Sequence, residues 1–167
     1  MICMLFWAMD PFKGVGMLKQ SLIVLGLVAG LAQAQEVPIG FVKTVNGEAA
    51  VITQGQRQAA ALGTPVFQGS VLQTGPKGSM GVTFKDDTVM SFGPDTQLTV
   101  DEYLYAPKQG KLKLGSKLTR GTLNYISGSI AKLKPEAVSV ATPTGTIGVR
   151  GTQFVVKVDP AAQVAAR

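Results

Sequence analysis

Histidine is absent from this sequence, and cysteine and tryptophan occur once each, at Cys3 and Trp7. Without histidine there is no imidazole for acid–base work, and with a single thiol near the N-terminus there is no disulfide framework. A zinc site of the usual His/Cys kind is excluded as well. Charged residues make up only 16% of the chain and aromatics 7%. No window carries a sustained helical period with caps, and no apolar run reaches the roughly 20 residues that a membrane helix needs.

What is present begins with an export signal. Met17-Leu18-Lys19-Gln20 reads as a short basic n-region, Ser21 to Leu31 as an apolar h-region, and Ala32-Gln33-Ala34 as a small-residue cleavage site. Residues 1–34 are therefore expected to be a Sec signal peptide cleaved after Ala34, with 1–16 an overextended start or a long n-region. An uncleaved membrane anchor is the competing reading. Cleavage removes Cys3 and Trp7 and leaves 133 residues with 14 basic and 9 acidic side chains. That length suffices for one domain with its own core. The lysines are spread through Lys108–Lys134 rather than blocked together, which fits a solvated strand face or a patch for envelope polymers. Nucleic acid is not expected, since no aromatic–basic recognition module is present.

The remaining chain reads as all-β. Short apolar runs alternate with Gly, Pro, Asn and Asp at close intervals. Phe41–Val45 is a strand, Asn46-Gly47 a hairpin signal, and Glu48–Thr53 the returning strand, followed by a polar loop over Gln54–Gln58. Gln68-Gly69-Ser70, Thr74–Ser79, Asp86-Asp87 and Gly93-Pro94-Asp95 are further turns. Met80, Val82 and Phe84 share one buried face. Leu98 and Val100, with Glu102, share a face opposite Thr99, Asp101 and Tyr103. Leu112 and Leu114 alternate with lysines, and Leu123–Ile126 forms a separate strand. Many short strands with Gly at the corners suit a single β-solenoid-like or sandwich-like domain over residues 35–159, with 160–167 a frayed tail.

Chemistry-bearing constellations are scarce. Asp86-Asp87 suits a turn, where Asp tolerates left-handed φ; calcium there would lack the ligand count of a loop motif. Asp101 and Glu102 are adjacent on a strand and point to opposite faces. Gly-Ser pairs recur, but none sits in a nucleophile elbow. No catalytic, metal-binding or cofactor-binding residue is assigned, and no enzyme activity is expected. Tyr103, Tyr105 and Tyr125 suit either a glycan-lining face or edge packing.

One run stands out: Ala141-Thr142-Pro143-Thr144-Gly145-Thr146-Ile147-Gly148-Val149-Arg150-Gly151-Thr152-Gln153-Phe154. Its β-branched residues favour extended chain, and Pro143 marks a strand start or edge. Gly145, Gly148 and Gly151 permit positive φ or close backbone approach. Arg150 is its only charge. Either it is a buried staple pairing with an acid such as Asp101 or with loop carbonyls, or it is a fork that recognises a partner.

This run resembles the C-terminal signature of the FecR domain, roughly T-P-x-A-x-x-G-V-R-G-T-x-F. Gly47-Glu48-Ala49, Thr74–Ser79, Phe84-Lys85-Asp86-Asp87-Thr88 and Gly93-Pro94-Asp95-Thr96 follow the family's order, so the resemblance covers about residues 40–158. Gly145 replaces the usual Ala, and Asp86-Asp87 replaces a common Asp-Gly. The residues it singles out are Thr142, Pro143, Gly145, Gly148, Arg150, Gly151, Thr152 and Phe154. The resemblance implies an all-β periplasmic or secreted module that binds proteins and takes part in signalling. Its partner would be a membrane regulator or an outer-membrane transporter. The family's transmembrane helix and anti-sigma segment are not recognised in this sequence, so signalling would run through another protein. The alternative is a structural or adhesive envelope module that binds surface polymers.

Overall fold

The computed structural model describes residues 36–159. The expected leader and tail lie outside the described residues. Twelve strands run in chain order: β1 Gly40–Asn46, β2 Ala49–Thr53, β3 Gln56–Ala59, β4 Pro65–Val66, β5 Val71–Thr74, β6 Ser79–Phe84, β7 Val89–Phe92, β8 Gln97–Ala106, β9 Lys111–Ile126, β10 Val138–Thr142, β11 Gly145–Gly148 and β12 Gln153–Val158. One short helix, α1 (Ser129–Leu133), lies between β9 and β10. The domain is all-β.

The strands form one curled sheet in the order β3-β2-β5-β8-β9-β7-β6-β1-β4. β9 is the pivot. Its N-terminal half pairs with β8 on one side and, in parallel, with β10 on the other. Its C-terminal half pairs with β7 on the first side and β12 on the second. The sheet therefore folds over at β9 into two faces enclosing one core. Val42, Val82, Phe84, Met90, Phe92, Leu123 and Tyr125 come from one half, and Val51, Leu72, Leu98, Val100, Leu114, Leu118 and Val140 from the other. The pairing is antiparallel except for β9–β10. A solenoid would stack parallel strands, so of the two architectures left open this is the sandwich-like one.

Two expected strands merge into the 16-residue β9. The inward set passes from Leu118 to Leu123, an odd step that an unbroken strand cannot make. A register shift opposite Gln97/Leu98 and the positive φ of Gly121 (91°) supply the change of face. A second shift between Val100 and Glu102 turns Tyr103 and Tyr105 inward, where they pack on the core. Glu102 instead pairs with exposed Lys113 at 2.6 Å. The bulge reverses the face expected for Glu102 and Tyr103.

Several turns are real but join other elements than expected. β1 and β2 do not pair with each other; Asn46-Gly47 carries the chain from one half of the sheet to the other. The hairpin lies one turn later, at Gln54-Gly55, where both residues have positive φ (52° and 79°). Its second strand, β3, is exposed throughout, so no hydrophobic alternation betrays it.

Gly121 sits against the corner where β7 passes to β8. A Cβ there would lie 2.3 Å from Thr96 Cα, in a backbone conformation that side chains rarely adopt. Gly121→Ala is therefore expected to destabilise the domain by well over the roughly 1–3 kcal/mol of backbone strain alone. Gly145→Ala, in open space, should leave stability unchanged. Urea unfolding of both variants checks this; equal midpoints would contradict the pivot.

Candidate functional site

The signature run builds the flank of the domain beyond β9. After α1 the chain returns along β9, as parallel neighbours require. β10 and β11 then form a hairpin with Thr142 opposite Gly145 across the two-residue turn Pro143-Thr144. Thr142 Oγ1 donates to Gly145 O at 2.8 Å and so ties the turn from within. Pro143 occupies a turn position where no N–H is needed.

Two residues of the run anchor it. Val149 is buried in the core, and its N–H reaches Val138 O at 3.3 Å. Phe154 stacks on Tyr125 with ring centroids 4.8 Å apart. Between them Ser127 grips the loop, its Oγ donating to Gly151 O at 2.6 Å and its N–H to Thr152 O at 2.8 Å. The remainder faces solvent: Pro143, Thr144, Gly145, Thr146, Gly148, Arg150, Gly151, Thr152 and Gln153 are all exposed.

This corrects two expectations. Arg150 is exposed, and among the described residues it has no ion pair or hydrogen bond, with Asp101 or with loop carbonyls. Open space also surrounds Gly145, Gly148 and Gly151, so close packing does not explain these glycines. Of the three only Gly151 has positive φ, at 153°.

The backbone of the flank is equally open. β11 pairs only with β10 among the described residues. The Val149–Val138 bond sets the alternation of the ladder, which leaves the N–H and C=O of Thr146 and Gly148 pointing away from β10. A four-residue uncharged edge is thus presented beside an exposed arginine.

The other polar centre is buried and was not legible as one. Asp86 lies at the expected turn but is fully buried. Its carboxylate accepts from Thr88 Oγ1 at 2.6 Å, Tyr103 Oη at 3.2 Å and Ile130 N at 3.4 Å. Its carbonyl accepts from Ser129 N at 2.6 Å. One side chain thereby ties the β6–β7 turn to β8 and to the start of α1. Asp87 takes the left-handed φ (64°) that the turn requires. The signal available in the sequence was the Asp-x-Thr spacing, which is too common to decide burial.

The tyrosines belong to this interior. Tyr103 stacks on Phe84 at 5.7 Å, and burial, then the nearby Asp86 charge, raises its pKa. Tyr125 is fully buried, and burial pushes it up to about 12. Neither ring is laid out as a glycan platform. A shallow cleft of about 610 Å³ lies nearby, lined by Glu36, Val37, Ile39, Gln68, Asp101 and Tyr103. It pairs no nucleophile with a base. Among the described residues no group of three or more acidic side chains converges, and no helix is long and apolar enough to cross a membrane.

The FecR protein family pattern matches residues 70–166, from the start of β5 through the signature and beyond. The chain belongs to the FecR family. Membership of this family implies a periplasmic, signalling-related domain of regulatory character. The Gly47-Glu48-Ala49 segment precedes the match. No curated protein and no solved structure matches the chain at a significant level.

Two outcomes test this description. Asp86→Ala would orphan the Thr88 and Tyr103 hydroxyls, and a loss of about 3 kcal/mol or more in urea unfolding is expected. A shift under about 1 kcal/mol would show that water replaces the carboxylate. The tyrosines set an alkaline limit. Their folded pKa values lie above the ordinary 10.0, so the unfolded state loses these protons first as pH rises. Their contribution is complete below pH 10, and for Tyr125 it is lost progressively towards about 12. Melting temperature measured against pH should fall above 10, and Tyr125→Phe should flatten that fall.

Proposed function

We propose that this chain is a non-catalytic protein-binding and signalling module of the bacterial envelope, which engages a partner through its signature hairpin. The contact set is Thr142, Pro143, Gly145, Gly148, Arg150, Gly151 and Thr152, with Phe154 anchoring it from beneath. The observation that carries this reading is the exposure of the run. Of the fourteen residues that carry the family signature, Val149 is buried, Ile147 and Phe154 pack on the core, and Pro143, Thr144, Gly145, Thr146, Gly148, Arg150, Gly151, Thr152 and Gln153 are exposed. Sequence that does not build the core is available for recognition.

The chemistry suits β-augmentation. The free groups of Thr146 and Gly148 accept an added strand, the glycines leave room for its side chains, and Arg150 offers a planar fork to a carboxylate or to carbonyls. The partner is a protein of the envelope, either a membrane-anchored regulator or an outer-membrane transporter. Export by cleavage after Ala34 would bring the module to it.

The test is crosslinking in intact cells followed by capture and mass spectrometry, with two variants. Thr146→Pro removes an N–H that the fold does not use, and Arg150→Ala removes the exposed cation. Both should keep the wild-type melting temperature and lose the captured regulator or transporter. Recovery of surface fibres or glycan alone would replace this reading with the structural or adhesive one. A large drop in melting temperature for Arg150→Ala would return the arginine to a structural role.

A further inference from the structure

β12 forms a second open edge, at the end of the other half of the sheet. Among the described residues it pairs only with β9. Ser127 N–H reaches Thr152 O, and those two residues lie in the β9–β12 register. The alternation that follows points the N–H and C=O groups of Phe154, Val156 and Val158 towards β9. It leaves those of Gln153, Val155 and Lys157 facing outward. The sequence Gln-Phe-Val-Val-Lys-Val has high β propensity, no proline, and its one cation is neutralised by Asp159 at 3.0 Å. Val155 is 64% exposed in the middle of the strand.

Such an edge is one that proteins usually protect. The opposite flank shows the protection: β3 carries Arg57 and β4 is two residues long. β12 is six residues long with one cation, Lys157, offset by Asp159, and its side chains fit a copy of themselves. Antiparallel self-pairing keeps inward residues inward only when residues of the same parity face each other. Centred on Val155, it sets Val155 against Val155, Gln153 against Lys157 and Phe154 against Val156. The three outward residues meet as hydrogen-bonded pairs, and no like charges stand directly opposite. On a chain of net charge +6, a strand whose single cation is paired with the adjoining Asp159 is where two copies can approach.

We propose that β12 pairs with β12 of a second copy of this chain, antiparallel about a two-fold axis through Val155, and so extends one sheet across both. This contact is independent of the β11 edge and leaves it open.

Sedimentation equilibrium of the purified full-length gene product tests it, with three variants. The wild type should dimerise with rising concentration. Val155→Pro removes only an outward N–H and should weaken association about tenfold or more. Val155→Lys places like charges opposite each other at the axis and should do the same. It changes an exposed side chain alone, so it carries the test if the proline variant melts early. Val155→Cys in a Cys3→Ser background should crosslink to itself under mild oxidation, because directly opposed strand residues lie within disulfide reach. A monomer at all concentrations up to about 1 mM would overturn the proposal. So would a dimer that both the Pro and Lys variants leave intact, since that dimer would use another surface or bind through a foreign strand.

Discussion

The architecture depends on one strand being able to bend without breaking. β9 belongs to both halves of the sheet, and at Arg120–Gly121 it must change face and direction. Gly121 permits this, and the corner packed against it is held by two threonines. Thr74 and Thr96 are bonded to each other twice: Thr74 N–H donates to Thr96 O at 2.9 Å, and Thr96 N–H to the Thr74 side-chain Oγ1 at 2.9 Å. Each hydroxyl donates to Gly93 O, at 2.6 Å from Thr74 and 2.9 Å from Thr96. Thr96 Oγ1 then accepts Thr122 N–H at 3.0 Å, beside the bend. Both hydroxyls are interior, so each of these bonds satisfies a group that would otherwise be orphaned away from water. Strands from both halves meet at this corner, so the core has its two faces only while the corner holds.

This explains what was legible in the sequence. Turn chemistry is local, and every expected turn exists. What a turn joins is not local. Asn46-Gly47 and Gln54-Gly55 are both glycine turns of similar composition, yet only the second closes a hairpin. The first moves the chain between the halves, with Gly47 pressed so close to Lys77 that a Cβ would lie 2.6 Å from its carbonyl oxygen. That contact is formed by residues thirty positions apart, and no window around Asn46 contains it. β9 was divided for the same reason. Its inward residues break period at the bend, and the period was the sole signal that could have linked the two parts.

Burial of polar groups was the least legible feature. Asp86 and Arg150 illustrate the reversal. An aspartate at a turn suggests surface, and a lone arginine among small residues suggests a buried staple. In the fold the aspartate is interior because three donors, from the β6–β7 turn, β8 and α1, converge on it. The arginine is outside because the anchoring of its run is already done by Val149, Phe154 and Ser127. Whether a charge can be buried depends on donors supplied from distant segments, and sequence spacing does not report them.

The span of the family match has a structural meaning. Residues 70–166 contain β5, β8, β9, β7 and β6, and these five strands are contiguous in the middle of the sheet order. β10, β11 and β12, on the far side of β9, are included as well. The strands outside the match, β1 to β4, add to the two outer ends of that centre, β2 and β3 beyond β5 and β1 and β4 beyond β6. They are also the strands whose free edges are short or charged. The matched part thus holds the bent strand, its threonine corner and both open edges, while the preceding strands complete and close the opposite flank. The outer edges of β11 and β12 both lie on the side of β9 away from β7 and β8, where an added strand would not compete with the strands already paired there.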